Sequence, residues 1–227
     1  MVIRNKKIRD VLRILIPFLV IPLAIFIAYK AFRQQHYSVT TLVVLVLSLL
    51  LFAAGYEKKK TGSRRMVLAA VMTALAILGR FIPYIKPMTA LIILSGMYLG
   101  GETGFLTGAL AAAVSNFYFG QGPWTPFQMF AMGMIGLTAG FFSRPLKEKK
   151  LLLLVYGGFS GIVYSLIMDI WTVLWYNEGL VFELYKAAVL SAVPYTITYC
   201  ISNVVFLAVL GRPIGEKLER IHVKYGI

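Results

Sequence analysis

Acidic residues are nearly missing from this 227-residue sequence: nine Asp plus Glu stand against 23 Lys plus Arg, for a formal net charge of +14. Charge of either sign is scarce, at 14% of residues, where a soluble domain carries about 25%. The single cysteine, Cys200, excludes an internal disulfide and a cysteine-based zinc cluster. His36 and His222 lie far apart in hydrophilic segments, which argues against a histidine metal site. There is no G-x-x-x-x-G-K-[ST] loop, so ATP is not hydrolysed by that route, and no H-E-x-x-H, G-x-S-x-G elbow or paired intramembrane carboxylate. No catalytic residue and no catalytic cofactor is expected.

What is present is apolar. Hydrophobic residues make up 59% of the chain and mean hydropathy is +0.78. The charges stand in blocks between long uncharged runs. Such blocks orient membrane helices and need no nucleic-acid partner. The sequence therefore reads as an all-α integral membrane protein. The first apolar stretch, 11 to 29, is longer than a signal h-region and reads as a retained helix.

At about 20 apolar residues per crossing, spans are expected at 11–32, 39–55, 66–82, 88–100, 103–118, 126–142, 151–176 and 183–211. Gly100 and Gly101 divide one long apolar stretch into two helices. Pro83 and Pro87 bracket a short loop, Pro126 begins a helix, and Pro194 is expected to kink the last span or mark its start. Eight spans put both termini on one side. That side then holds 18 of the 23 basic residues, in blocks at Arg4–Arg13, Lys58–Arg65, Arg144–Lys150 and Arg212–Lys224. The positive-inside rule makes it the cytoplasm. The hydrophilic stretch from Tyr56 to Arg65 divides an N-terminal hairpin with its basic linker (1–63) from a six-helix unit (64–227).

Few polar groups interrupt the spans. Asp169 is the one acid clearly inside a span, with Thr172 and Tyr176 three and seven residues on. A buried carboxylate costs about 2.5–3.5 kcal/mol on insertion scales. It reads either as a ligand contact or as a structural group paired, for example, with Arg80. The last span carries Tyr195, Thr198, Tyr199 and Ser202 on one helical face, which suits ligand contact or interhelical hydrogen bonding. Between Ser115 and Gln128 lies an extracellular loop rich in aromatics, prolines and glycines, with Asn116, Tyr118, Trp124 and Gln128. Its rigid frame and amides favour a binding site for a flat organic molecule over an interfacial aromatic belt. Gly104, Gly108 and Ala112, with Gly136 and Gly140, predict close helix packing. Ala70 and Ala74 make a smooth face on the first helix of the six.

Three stretches together carry a family resemblance: Ala70-x-x-x-Ala74, M-Y-L-G-G-E-T-G-F-L-T-G-A-L at Met97–Leu110, and G-P-W-T-P-F-Q-M-F-A-M-G at Gly122–Gly133. From about Arg64 to Gly226 the chain resembles the substrate-binding S component of an energy-coupling factor vitamin transporter. The third stretch resembles a subgroup associated with corrinoid or related cofactors. The resemblance implies a six-helix bundle that takes a vitamin or precursor from outside a bacterial-type cell membrane. It also implies a transmembrane coupling subunit with two ATPases, and toppling in the bilayer to release the ligand. Ala70 and Ala74 would dock the coupling subunit, and the Trp124–Gln128 loop would cap the pocket. The N-terminal hairpin departs from the family's six helices. A small proton-coupled carrier with Asp169 as relay, or a membrane enzyme acting on a lipid, are the alternatives; the first lacks a second buried acid and the second lacks metal-binding carboxylates.

Overall fold

The computed structural model describes residues 6–32, 37–54, 62–83, 85–177 and 179–225. Arg4, Arg33, His36 and the linker residues Lys58, Lys59 and Lys60 lie outside these. All the described regular structure is helical: α1 (Lys6–Leu15), α2 (Ile21–Phe32), α3 (Tyr37–Ala54), α4 (Gly62–Gly79), α5 (Met88–Leu99), α6 (Gly101–Phe119), α7 (Thr125–Phe141), α8 (Ser143–Glu148), α9 (Lys150–Tyr176) and α10 (Phe182–Tyr225). Four spans are long and apolar enough to cross a bilayer by length and hydropathy: Lys7–Lys30, Tyr37–Ala54, Lys150–Tyr176 and Phe182–Ile221. The protein is an all-α membrane protein.

Each expected span has its helix, with three local differences. First, α1 and α2 form one rod joined by a π-helical turn, Ile16–Val20, in which the Ile21 N–H reaches back to the Ile16 carbonyl. Pro17 and Pro22 cannot donate, and the wider turn absorbs the gap. Second, the stretch from Ser115 to Gln128 is mostly helix. The α6 ladder runs to Phe119, Gly120 turns the chain at φ 107°, and Pro126 sits in the first turn of α7, where no N–H is needed. Third, α10 runs through Pro194 as a single helix of 44 residues; the proline removes one ladder hydrogen bond without ending the helix.

The centre is α5. Eleven of its 12 residues are buried, although a helix of that length rises only about 18 Å and cannot span the hydrocarbon core unaided. It is enclosed by α4, α6, α7 and α10. Contact with α6 and α7 is close because glycines meet there. A Cβ on Gly104 would lie 2.5 Å from the Gly136 carbonyl oxygen and 2.6 Å from the Gly96 Cα. At the turn between α5 and α6, Gly100 adopts φ 98°, a left-handed backbone that favours glycine.

The hairpin of α1–α3 packs on α6 and α7 and is tied at both ends. At one end the Arg13 guanidinium donates to the Glu102 carboxylate, while Arg65 lies 3.8 Å from its other oxygen. At the other end the Tyr29 hydroxyl donates to the carbonyls of Leu174 (2.9 Å) and Asn177 (3.2 Å). Phe18 stacks on Phe141 between them. Glu102 is only 3% exposed, so Glu102→Ala leaves two cations facing an apolar hole. Both arginines reach solvent, which limits the cost to about 2 kcal/mol. A lower melting temperature in detergent, with ligand affinity unchanged, is the expected result.

Charge is segregated along the bundle. Arg13, Arg65 and Glu102 meet at the end where Lys147 pairs with Glu219 at 3.0 Å and lies 4.3 Å over the Tyr98 ring. The described members of the four basic blocks therefore gather at the end opposite the α6–α7 turn.

Candidate functional site

A polar network occupies that opposite end. Arg80, just past α4, donates through Nη1 to the Ser115 hydroxyl and the Asn116 Oδ1, both at 2.6 Å. The fully buried Asn116 amide then donates to the Thr125 hydroxyl and the Gln128 Oε1, both at 2.8 Å. Gln128 passes the chain on, donating to the Tyr164 hydroxyl at 3.1 Å, and the Tyr164 ring meets Tyr199 edge-on at 5.3 Å. Three helices, α6, α7 and α9, and the residue just past α4 thus converge through one continuous set of donors and acceptors, with α10 added by the ring contact. The Arg80 guanidinium also lies 4.7 Å over the Phe119 ring, which holds it in place without neutralising it.

The network borders a cavity of about 80 Å³. Arg80, Lys86, Gln128, Tyr164, Tyr199 and Asn203 give it polar or aromatic walls, and Met88, Thr89, Ala112 and Met132 form the rest. Its rim is braced by the Ser202 hydroxyl, which donates to the Lys86 carbonyl at 3.0 Å and joins the 80–87 loop to α10. Ligand sites for organic molecules usually measure about 300–1,000 Å³, and this cavity is smaller than that. The second cavity, about 430 Å³, is lined by apolar side chains between α2, α7 and α9. It is larger but offers few groups to orient a polar ligand, so the smaller cavity is the candidate site.

The sequence-derived residues separate into two groups. Gln128 and Tyr199 line the cavity, and Asn116 holds Gln128 and Arg80 together. Trp124 instead packs edge-on against Trp171 at 5.7 Å, folded over Gly122, where any Cβ would collide with its ring. Tyr118, Tyr176 and Tyr195 are 73%, 79% and 69% exposed and do not face the cavity. Tyr195 shares a helical face with Tyr199, but the first half of α10 is largely uncovered by the bundle. Thr172 bonds back to the Met168 carbonyl of its own helix.

Asp169 is buried (6% exposed) but is absent from the cavity wall. Its Oδ2 has no hydrogen-bond partner among the described residues, and Arg80 bonds Ser115 and Asn116 rather than Asp169. The rotation of α9 explains this. Gly157 and Gly161 seat that helix against Leu207 and Cys200 of α10, and the same seating turns Tyr164 to the cavity. Arg80, Tyr164, Lys86 and Asn203 were not expected as site residues. Arg80 stands just past a helix end, where a cation ordinarily reads as topology, and nothing marked Tyr164 within its apolar run.

On α4, Ala70 and Ala74 are exposed, with Val67, Val71, Leu75 and Leu78 exposed around them. This face turns away from the bundle, while Met72, Thr73 and Ala76 pack inward.

Residues 60–220 match a family model described as ECF-type riboflavin transporter, S component. No curated protein and no solved structure matches the chain.

Proposed function

We propose that this chain, which belongs to the S-component family of ECF-type riboflavin transporters, captures a flavin-like vitamin in the Gln128–Tyr199 cavity for import. The observation that carries the reading is the Arg80–Asn116–Gln128–Tyr164 chain ending at a cavity beside Tyr199. A flat heteroaromatic ring with alternating N–H and C=O groups along one edge needs what this wall supplies: an amide, a guanidinium, a phenol and an aromatic face. A corrinoid is far larger, and the family description names riboflavin, so the flavin is preferred to the corrinoid expected from the Gly122–Gly133 motif.

The chain acts as a binding subunit. ATP is spent by two ATPases on a coupling subunit that docks on the Ala70–Ala74 face, and toppling of the bundle releases the ligand inside. With the basic end in the cytoplasm, both termini are cytoplasmic and the 80–87 and 120–124 segments face outside, where the vitamin arrives. Asp169, Thr172, Tyr118, Tyr176 and Tyr195 take no part in first contact on this reading, and Trp124 supports the turn that positions Thr125 and Gln128.

Titration of the purified protein with riboflavin, followed by flavin fluorescence quenching, tests this. Saturable one-to-one quenching is expected. Gln128→Ala removes a hydrogen-bonding group from the wall and leaves the Asn116 amide short of an acceptor, which weakens binding about 10- to 100-fold. Unchanged affinity in that variant moves the pocket elsewhere. Absence of quenching, with a different small molecule found on the purified chain by mass spectrometry, replaces the flavin assignment.

A further inference from the structure

The 430 Å³ cavity is built from both parts of the protein. Its deep portion is formed by Pro22 and Ile25 of α2 with Phe130 of α7 and Ile170 of α9; its shallow end is formed by Tyr29, Lys30 and Gly179. Five of its twelve lining residues come from the hairpin, outside the residues 60–220 that match the family. The hairpin cannot close the space by sliding inward, because Arg13–Glu102 and Tyr29–Leu174 fix it at both ends.

A groove lined largely by apolar side chains gains dispersion contacts along its lining when an apolar chain lies in it. Water does not settle there without several polar partners. At this depth in a bilayer the available filler is hydrocarbon. From Pro22 to Lys30 the groove follows eight residues of helix, about 12 Å, close to the roughly 15 Å hydrocarbon depth of one leaflet. Polarity follows the same axis as in a lipid. The deep end is apolar, and the shallow end carries the Lys30 ammonium, 6.0 Å from the Phe26 ring centroid, near the end of α9. Lys30 makes no ion pair among the described residues, and its stem lines the groove, the arrangement of a lysine that reaches the headgroup level.

We infer that this groove holds one acyl chain of a phospholipid from the leaflet at the end opposite the basic blocks, with Lys30 against the lipid phosphate. The hairpin then acts as one wall of a lipid site, which makes that lipid part of the hairpin's packing on α7 and α9. The inference uses no part of the vitamin assignment.

The full chain is reconstituted in vesicles of equal phosphatidylglycerol and phosphatidylethanolamine, re-extracted in mild detergent, washed, and examined by native mass spectrometry. One phospholipid per protein is expected, enriched in phosphatidylglycerol. Ile170→Trp fills the groove and should abolish retention while riboflavin quenching persists. Lys30→Gln should keep the chain in the groove but lower the phosphatidylglycerol preference about fivefold, the effect of one basic residue near an anionic headgroup. Lys30 is at the groove mouth, so its variant decides the matter even if Ile170→Trp does not fold. Retention of lipid by Ile170→Trp at the wild-type level overturns the proposal, as does a headgroup preference that ignores Lys30→Gln. Loss of riboflavin binding in Ile170→Trp with lipid still retained would place the vitamin in the groove and also overturn it.

Discussion

Gly136→Leu is expected to leave no folded, monodisperse protein extractable from the membrane. The carbonyl of Gly104 on α6 lies where the first side-chain carbon at 136 would stand, and it is backbone, not the movable tip of a side chain. The reverse substitution meets the same wall, since a Cβ on Gly104 approaches both Gly136 and Gly96. Overpacking a soluble core costs about 1–3 kcal/mol. Here α6 and α7 would have to separate, and α5 would lose its enclosure with them. Membrane helices associate through such close packing rather than through exclusion of water, so no other force restores the contact. Size-exclusion chromatography of a fluorescent fusion measures this, with Val155→Leu on an exposed face as the control. A normal monodisperse peak for Gly136→Leu would mean that α6 and α7 are not in backbone contact.

The second large effect concerns transport without binding. Ala74→Trp, or Ala70→Trp, should abolish ATP-dependent riboflavin uptake by cells while the isolated protein still quenches flavin fluorescence with unchanged affinity. Both alanines are exposed on α4, on the face turned away from the cavity. A partner helix can approach there because the side chains are small, and an indole at either position holds the two backbones apart. Normal uptake by both variants would remove the docking assignment and leave the vitamin site untouched.

Much of the architecture was legible because membrane physics leaves plain marks. Long uncharged runs gave the helices, and the described basic residues of all four blocks do gather at one end. The four-residue spacing of Gly104 and Gly108 did mark a surface of close approach. The site was harder to read because it depends on how each helix is rotated. Asn116 and Gln128 stand out as amides flanking an aromatic stretch and Tyr199 as part of a polar helical face; Gln128 and Tyr199 line the cavity and Asn116 bonds Gln128. Arg80 was hidden by its place just past a helix end, where a cation ordinarily signals topology, yet it bonds inward to Asn116. Asp169 drew attention as the buried acid, but the glycines of α9 turn Tyr164, not Asp169, toward the cavity. Tyr118, Tyr176 and Tyr195 have the composition of a binding site and the exposure of an interfacial belt. Aromatic content alone cannot separate the two.

The shortness of α5 also bears on how the protein is made. Twelve residues are too few to be retained in the bilayer as an independent segment during synthesis, and no lipid-facing side is left to them in the finished bundle. Its place in the bundle therefore depends on its partners, among them α6, to which it turns at Gly100. The central helix is thus held in the bilayer by the helices that enclose it, not by a hydrophobic length of its own.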